Sequence, residues 1–257
     1  MASGGGSPYP SIPASRTSTP SSLNPDAPQP VKICVYCGAS PGTKPAHIEA
    51  ARALARAMAA NNIGLVYGGG TVGLMGEVAK TLVSLSGPDS VHGIIPEALV
   101  RYERDTTYTS SSSTNHGGEE AGGEERPLAV PQEKVWGRTT VVKDMHTRKK
   151  MMAQEVMAGG PGSGFIALSG GYGTLEELFE TMTWNQLGIH SKGVCVLNVD
   201  GFYNGILDWI KNSVGEGFIH GENANILVEA TTAEEAIKAL KEYKVSKEVF
   251  NLSWGNQ

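Results

Sequence analysis

The chain has 257 residues, of which 40% are hydrophobic and 18% charged, enough for one sizeable core rather than several independent ones. Its formal net charge of −5 at pH 7 argues against a dedicated nucleic-acid binder, which usually presents a basic face. The sequence has no apolar run of about 18 residues, and its N-terminus lacks the basic-then-apolar layout of a secretory signal. We therefore expect a soluble, cytoplasmic protein that does not bind membranes.

Two stretches have the composition of segments without a stable core. Residues 1–30 are rich in Pro, Ser, Thr and Gly and nearly lack large apolar side chains, which predicts a disordered tail. Residues 106–126 hold a serine run, several glycines and four glutamates, which predicts a flexible acidic insertion, either a lid or partner contact or a plain solvated connection. We predict one folded domain over residues 31–245 and a C-terminal tail over residues 246–257.

Short apolar runs alternate with longer amphipathic ones through this domain. In chain order, the predicted elements are a strand at 31–36, a helix at 46–61, a strand at 63–67, a helix at 74–85, a strand at 91–95, a helix at 145–157, a strand at 165–168, a helix at 175–186, a strand at 194–199, a helix at 202–214, a strand at 226–228 and a helix at 233–243. Short buried strands separated by helices predict an α/β fold, a doubly wound, mainly parallel sheet with helices on both faces.

The three cysteines, Cys34, Cys37 and Cys195, are odd in number and belong to apolar, strand-like runs, so no disulfide framework is expected. Cys34 and Cys37 form a CxxC pair. A zinc site needs about two further soft ligands, and no second CxxC or histidine pair supplies them. A structural role is favoured for the cysteines, and no metal site is expected.

Glycine-rich or hydroxyl-rich loops follow three predicted strands, at residues 37–42, 67–76 and 168–177. In parallel α/β sheets ligands lie beyond the carboxyl ends of the strands, where such loops enter helices and can form an anion site. The second loop contains GxGxxG, but the dinucleotide fingerprint belongs to the first strand-turn-helix unit, so this match is weak. The four residues that follow Tyr67 are predicted either to cradle a phosphate or to form a plain tight turn. They are Gly68, Gly69, Gly70 and Thr71.

The third loop reads LSGGYGTLEE from residue 168. We predict that its helix begins near Thr174, which puts Glu176 and Glu177 in the first turn, where the helix dipole stabilises carboxylates. Thr174 and Glu177 also have capping-box spacing, so a cap is the alternative to a role in ligand binding.

A basic cluster lies about one strand upstream, in the run DMHTRKK at residues 144–150. Three consecutive cations at a predicted helix start oppose the helix dipole. An anionic ligand would explain them, and a solvated charged face is the alternative. His146 is interpreted as a surface or hydrogen-bonded histidine rather than a ligand or base.

Three motifs in this order, YGGGTVGLMG at 67–76, DMHTRK at 144–149 and SGGYGTLEE at 169–177, resemble the LONELY GUY family of cytokinin-activating phosphoribohydrolases. Members of that family are often mislabelled lysine decarboxylases. The resemblance extends over about residues 32–243, which is nearly all of the predicted domain.

The resemblance implies a Rossmann-like fold and hydrolysis of a cytokinin riboside 5′-monophosphate, with AMP as a second candidate substrate and no cofactor. It also implies a homodimer with the active site near the interface. Arg148 and Glu177 match the catalytic pair of the family. Positions that match its nucleotide site are Glu103, Lys149, Gly170, Gly171, Tyr172, Gly173, Thr174, Leu175, Glu176 and Thr183.

The sequence departs from the family pattern at Ser169, where proline is usual, and in the acidic insertion, which lengthens the chain around Glu103. Two alternative classes of protein remain. A non-catalytic nucleotide carrier on the same fold would keep the glycine loops without hydrolysis. An amino-acid decarboxylase would need a pyridoxal-bearing lysine, for which the sequence offers no supporting motif.

Overall fold

A parallel sheet forms the centre of the computed structural model, which describes Met1, residues 29–100, residues 130–250 and Leu252. Within these residues the sheet has seven strands. They are β1 (Lys32–Tyr36), β2 (Gly64–Tyr67), β3 (Val91–Pro96), β4 (Arg138–Val142), β5 (Gly164–Ala167), β6 (Gly193–Leu197) and β7 (Leu227–Ala230). Their spatial order is β4-β3-β2-β1-β5-β6-β7, and every neighbouring pair is parallel.

Helices cover both faces of the sheet. They are α1 (Pro45–Ala60), α2 (Gly73–Ser86), α3 (Glu133–Trp136), α4 (Met145–Met157), α5 (Tyr172–Gln186), α6 (Asn204–Gly215) and α7 (Ala233–Lys241). Short 3₁₀ turns lie at Pro88–Ser90, Glu97–Leu99, Val199–Gly201 and Gly221–Ile226. One core packs α1, α2, α3 and α7 on the sheet, and a second core packs α4, α5 and α6 on the other face. The predicted doubly wound α/β class is confirmed, and the sheet is parallel throughout the described residues.

The direction in which strands are added reverses between β1 and β5. From β1 the chain proceeds outwards through β2, β3 and β4, and then returns to the other side of β1 to continue through β5, β6 and β7. The loops after β1 and β5 therefore diverge to opposite faces and leave a crevice at the carboxyl ends of the strands. The first and third predicted loops border this crevice.

The sequence analysis missed α3 and β4. The strand reads RTTVV and lies at the edge of the sheet, where only Val142 is fully buried. Its polar start gives no apolar run of the kind that marks the central strands. Most of the predicted N-terminal tail, the acidic insertion and Glu103 lie outside the described residues. None of the described helices has the length and apolar character needed to cross a membrane.

Candidate active site

A cavity of about 700 Å³ opens at the crevice between β1 and β5. Residues from the loops that follow β1 to β6 line it. The first loop contributes Cys37–Thr43. The arginine and glutamate side chains that line the cavity come from α4, which carries Arg148, and from α5, which carries Glu176 and Glu177. The three loops predicted to converge therefore do meet in one place.

The turn from β5 into α5 forms one wall. The helix begins at Tyr172 with Gly171 as its N-cap, and no side chain caps it. The predicted start near Thr174 and the capping-box alternative are therefore wrong, because the glycines let the chain turn into the helix two residues earlier. Glu176 and Glu177 lie beyond the first turn, and the amides of Tyr172, Gly173 and Thr174 have no acceptor within the helix.

Open space surrounds this helix start. A Cβ atom on Gly171 or Gly173 would meet no heavy atom within 4 Å, whereas on Gly170 it would lie 2.1 Å from Thr174 Oγ1. Gly170 is therefore required for the turn itself. Gly171 and Gly173 instead keep the entrance to the amides clear, as an anion site at a helix N-terminus requires.

Hydrogen bonds from neighbouring loops hold this turn in place. The Leu168 carbonyl accepts from Tyr203 Oη at 2.6 Å, and the Ser169 carbonyl accepts from the Gly38 amide at 3.0 Å. Ser169 Oγ lies 2.9 Å from His47 Nδ1. The chain is thus tied to the loops after β1 and β6 immediately before the open helix start.

Arg148 projects into the cavity from α4. Asp144 caps this helix by accepting from the Thr147 amide at 2.8 Å, which places Arg148 at the end of the first turn. The side chain is 6% exposed and crosses Gly68, where a Cβ would lie 1.8 Å from Nη2. Its Nε is buried without a hydrogen-bond partner in the described part of the chain. Burying a guanidinium charge is costly, and an anion in the cavity beside it would offset that cost.

The three cations of the basic cluster have different surroundings. Lys149 Nζ lies 3.0 Å from Glu180 Oε1 and 2.5 Å from Glu176 Oε1, and Lys150 is exposed. Of the three, only Arg148 lines the cavity. The solvated face therefore describes Lys150, and the anionic ligand stays a prediction for Arg148, which lies where such a ligand could reach it.

Glu176 and Glu177 differ in exposure although both line the cavity. Glu176 is exposed and paired with Lys149, whereas Glu177 is half-buried. Burial raises the pKa of the Cys34 thiol and the negative charge of Glu177 raises it further. Glu177 therefore lies within electrostatic range of Cys34 in β1.

The second glycine loop has mainly a structural role. A Cβ on Gly73, whose φ is +60°, would lie 2.3 Å from the Ala39 carbonyl carbon, and one on Gly76 would lie 2.3 Å from the Thr71 carbonyl oxygen. Of the four residues that follow Tyr67, Gly68 alone lines the cavity. The weak GxGxxG match thus reflects close packing of two loops.

Several predicted site residues lie elsewhere. Tyr172 is 96% exposed beside the entrance, and Leu175 packs against the second core. Thr183 borders a separate cavity of about 170 Å³ between α5 and α6, where its hydroxyl donates to the Phe179 carbonyl at 2.8 Å. The structure does not bring these side chains to Arg148 and Glu177 within this single chain.

Sequence reasoning missed His47 and Phe202, which line the cavity on the side of the first loop. Their rings pack edge to face with centroids 5.7 Å apart. Phe202 lies in the stretch 197–204, which shares the family resemblance but was given no role in the site, and the two residues are 155 positions apart in the sequence. Only the junction of α1 with the chain that follows β6 brings them together, so no local signal marks either one as a site residue.

Comparison with known proteins gives two kinds of relative. A family model described as possible lysine decarboxylase matches residues 75–240. Cytokinin riboside 5′-monophosphate phosphoribohydrolase LOG3 of Arabidopsis thaliana is 43% identical over 82% of this chain and 82% of its own length. The bifunctional cytokinin biosynthesis protein of Fusarium pseudograminearum is 51% identical over 92% of this chain, which spans 45% of that protein.

Solved structures with a similar fold include two proteins related to molybdenum cofactor. The molybdenum cofactor binding protein of Rippkaea orientalis superposes with a TM-score of 0.53 at 17% identity, covering 83% of this chain and 96% of that one. The carrier protein of Chlamydomonas reinhardtii gives 0.52 at 17% identity, covering 83% and 98%. At this identity the likeness concerns the fold alone.

Proposed function

The chain belongs to the LONELY GUY family of cytokinin riboside 5′-monophosphate phosphoribohydrolases, and we propose that it hydrolyses the N-glycosidic bond of such nucleotides. The products are the free cytokinin base and ribose 5-phosphate, and AMP is a second candidate substrate. Family membership agrees with the resemblance carried by the three motifs. The observation that carries the proposal is one cavity that combines buried Arg148, half-buried Glu177 and the open start of α5.

The start of α5 is the proposed site of the 5′-phosphate. Its first-turn amides point out of the helix, and the partial positive charge of the helix terminus favours an anion. The clear space around Gly171 and Gly173 lets phosphate oxygens approach the backbone. Four residues of helix separate Gly173 from Glu177, about 6 Å along the axis, so a ribose bound by its 5′-phosphate extends towards Glu177.

Glu177 is the proposed catalytic carboxylate. Cleavage of an N-glycosidic bond builds positive charge on the ribose ring while a water attacks the anomeric carbon. A carboxylate beside that carbon stabilises the charge and can accept a proton from the water. The half-buried position of Glu177 suits this role, whereas the exposed Glu176 is paired with Lys149.

Arg148 is the proposed partner of the leaving group and anchor of the nucleotide. The base departs with the electron pair of the glycosidic bond, so negative charge develops on it until it takes up a proton. A fixed guanidinium stabilises that charge, and its fork can also hold a substrate oxygen. Because Gly68 leaves the space that Arg148 occupies, the position of the guanidinium is set before substrate binds.

The direct test is product analysis with purified protein and isopentenyladenosine 5′-monophosphate, AMP and isopentenyladenosine. Release of isopentenyladenine from the monophosphate, with little from the riboside, is the expected result. Nucleotide binding without release of base would instead favour a non-catalytic carrier. Efficient cleavage of the riboside would contradict the role given to the α5 start.

We also propose a homodimer located in the cytoplasm. Exposed aromatic side chains support the first part. Trp209, which lines the Thr183 cavity, is 48% exposed, and Phe218 is 85% exposed; large exposed apolar groups are common at interfaces. The three cysteines, all among the described residues, are buried and form no disulfide, which fits a reducing compartment. Light scattering after size exclusion tests the dimer, and fractionation of cells expressing a tagged chain tests the location.

A further inference from the structure

His47 lines the cavity but has no part in the proposed steps. It lies in the first turn of α1 and is 9% exposed. Two contacts hold its ring. Nδ1 lies 2.9 Å from Ser169 Oγ, and the ring packs edge to face on Phe202. Gly42 runs alongside the ring, since a Cβ on it would lie 3.1 Å from Cδ2. An imidazole held this firmly at a cavity wall is oriented for a ligand.

The second ring nitrogen of His47 is available to that ligand. Nε2 has no hydrogen bond to any described residue. It is also not among the polar atoms that are both fully buried and without a partner. It is therefore accessible, and the residue borders the cavity. Because Nδ1 is occupied by the Ser169 hydroxyl, Nε2 is the nitrogen that faces free space.

The position of His47 identifies the part of the substrate that it meets. Ser169 is the residue immediately before Gly170, so His47 stands beside the open start of α5 and not beside the second-turn Glu177. Among the described residues that line the cavity, Arg148 is the one lysine or arginine, whereas Glu176 and Glu177 are both acidic. A phosphate carries between one and two negative charges near neutral pH, so a further donor at this end would lower the cost of binding it.

We propose that His47 contacts the 5′-phosphate through Nε2 and that Ser169 is the positioning residue that orients the ring. This inference rests on the proposed nucleotide substrate. A hydroxyl can either donate or accept, so Ser169 can hold both the neutral and the protonated imidazole.

Equilibrium binding to Glu177→Gln protein tests the proposal without turnover. AMP and adenosine are titrated by calorimetry into this protein and into the double variant with His47→Phe, which keeps a ring against Phe202. A hydrogen bond to a charged group predicts that AMP binding weakens roughly 10- to 100-fold, while adenosine binding changes by less than about twofold. Ser169→Ala is expected to produce a smaller loss that is also confined to AMP.

Controls separate this role from a structural one. His47→Gln keeps an N–H donor and is expected to retain more AMP affinity than His47→Phe. His220→Phe changes an exposed histidine outside the cavity and is expected to leave both affinities unchanged, and circular dichroism checks the fold of each variant. Equal weakening of AMP and adenosine, no weakening, or no AMP binding at all would overturn the proposal. Failure of the unmodified chain to hydrolyse nucleotides would remove the proposed function, while the AMP and adenosine comparison would still decide the role of His47.

Discussion

The two ends of the sheet carry polar clusters that are organised in opposite ways. At the amino ends of the strands, Glu155 accepts from Lys32 at 2.7 Å and contacts His92 Nδ1, and His92 Nε2 lies 2.8 Å from Thr140 Oγ1. At the carboxyl ends, Arg148 is buried with a nitrogen that no described residue pairs. The first cluster is satisfied by the chain itself, whereas the second leaves capacity for a ligand.

Helix α4 links the two clusters. Arg148 lies near its start, and Glu155 lies seven residues later, near its end. Seven residues make about two helical turns, so the two side chains lie on the same face of α4. The contacts of Glu155 with Lys32 and His92 hold the end of α4 on the sheet. The start of α4 instead places Arg148 at the cavity, where it is proposed to contact the substrate. Changes at the carboxyl ends should thus affect activity most, and changes at the amino ends should affect stability.

The largest effect is expected for Glu177→Gln. Loss of the carboxylate removes the stabilisation of the cationic ribose and the acceptor for the proton of water, so kcat should fall about 100- to 10,000-fold. The thermal unfolding midpoint should change little. Glu176→Gln is the matched control, which should retain part of the turnover because this exposed carboxylate pairs with Lys149. Equal loss of kcat in both variants would contradict the assignment.

Gly68→Ala should displace the Arg148 side chain while leaving the residue itself unchanged. The new Cβ would lie 1.8 Å from Nη2 and 2.8 Å from Cζ, so the guanidinium must move. A displacement of this kind is expected to lower kcat/KM about 100-fold. In the control Gly205→Ala the Cβ meets nothing within 4 Å, and α6 should be stabilised by up to about 1 kcal/mol. Unchanged kcat/KM in Gly68→Ala would show that the position of Arg148 is not critical.

Glu155→Gln should lower stability and leave kcat/KM nearly unchanged. Burial raises the pKa of Glu155, but the hydrogen bonds from His92 and Lys32 outweigh it and lower the pKa from 4.5 to about 2. The expected loss in the free energy of unfolding at pH 7 is about 1–3 kcal/mol. Urea unfolding measures it, and nucleotide turnover at a temperature where both proteins are folded provides the comparison.

The same pKa predicts how this loss depends on pH. Because the folded pKa lies below the unfolded one, the ion pair stabilises the fold fully above about pH 4.5 and progressively less as pH falls towards 2. The difference in stability between the unmodified chain and Glu155→Gln should therefore shrink over this range. A difference that stays constant from pH 7 to pH 3 would mean that the charge of Glu155 does not contribute.

The smallest effect is expected for Tyr203→Phe. Burial raises the pKa of the phenol, so the hydroxyl remains a donor to the Leu168 carbonyl, 2.6 Å away. Its removal should cost about 1 kcal/mol of stability and raise KM for the nucleotide slightly, since the carbonyl precedes the α5 turn. Denaturant unfolding and steady-state kinetics measure the two changes, and a large fall in kcat would place Tyr203 in the chemistry instead.

Periodicity was sufficient to predict the fold class, because the central strands are continuous apolar runs and the helices between them are amphipathic. It failed at β4, where an edge strand needs only one apolar side and begins with polar residues. It also misplaced the start of α5. Three glycines do not show from sequence which of them becomes the N-cap, since that depends on where Gly38 and Tyr203 hold the preceding carbonyls.

The site was predictable where its residues lie in motifs and not where it depends on pairing between distant segments. The loops that meet at Arg148 and Glu177 were indicated by the rule for parallel sheets. The pairing of Lys149 with Glu180, 31 residues away, was not. His47 and Ser169 are 122 residues apart, and nothing in either local sequence signals their contact.

The burial of Arg148 has a consequence for the stability of the folded chain. Burying a guanidinium destabilises the empty protein, and an anion bound beside it in the cavity would bind the folded state in preference to the unfolded one. The free energy of unfolding would then rise with ligand concentration, by about 2.7 kcal/mol at 100 times Kd. If a nucleotide is that anion, as proposed, its supply would set how long the chain resists unfolding as well as how fast the protein works.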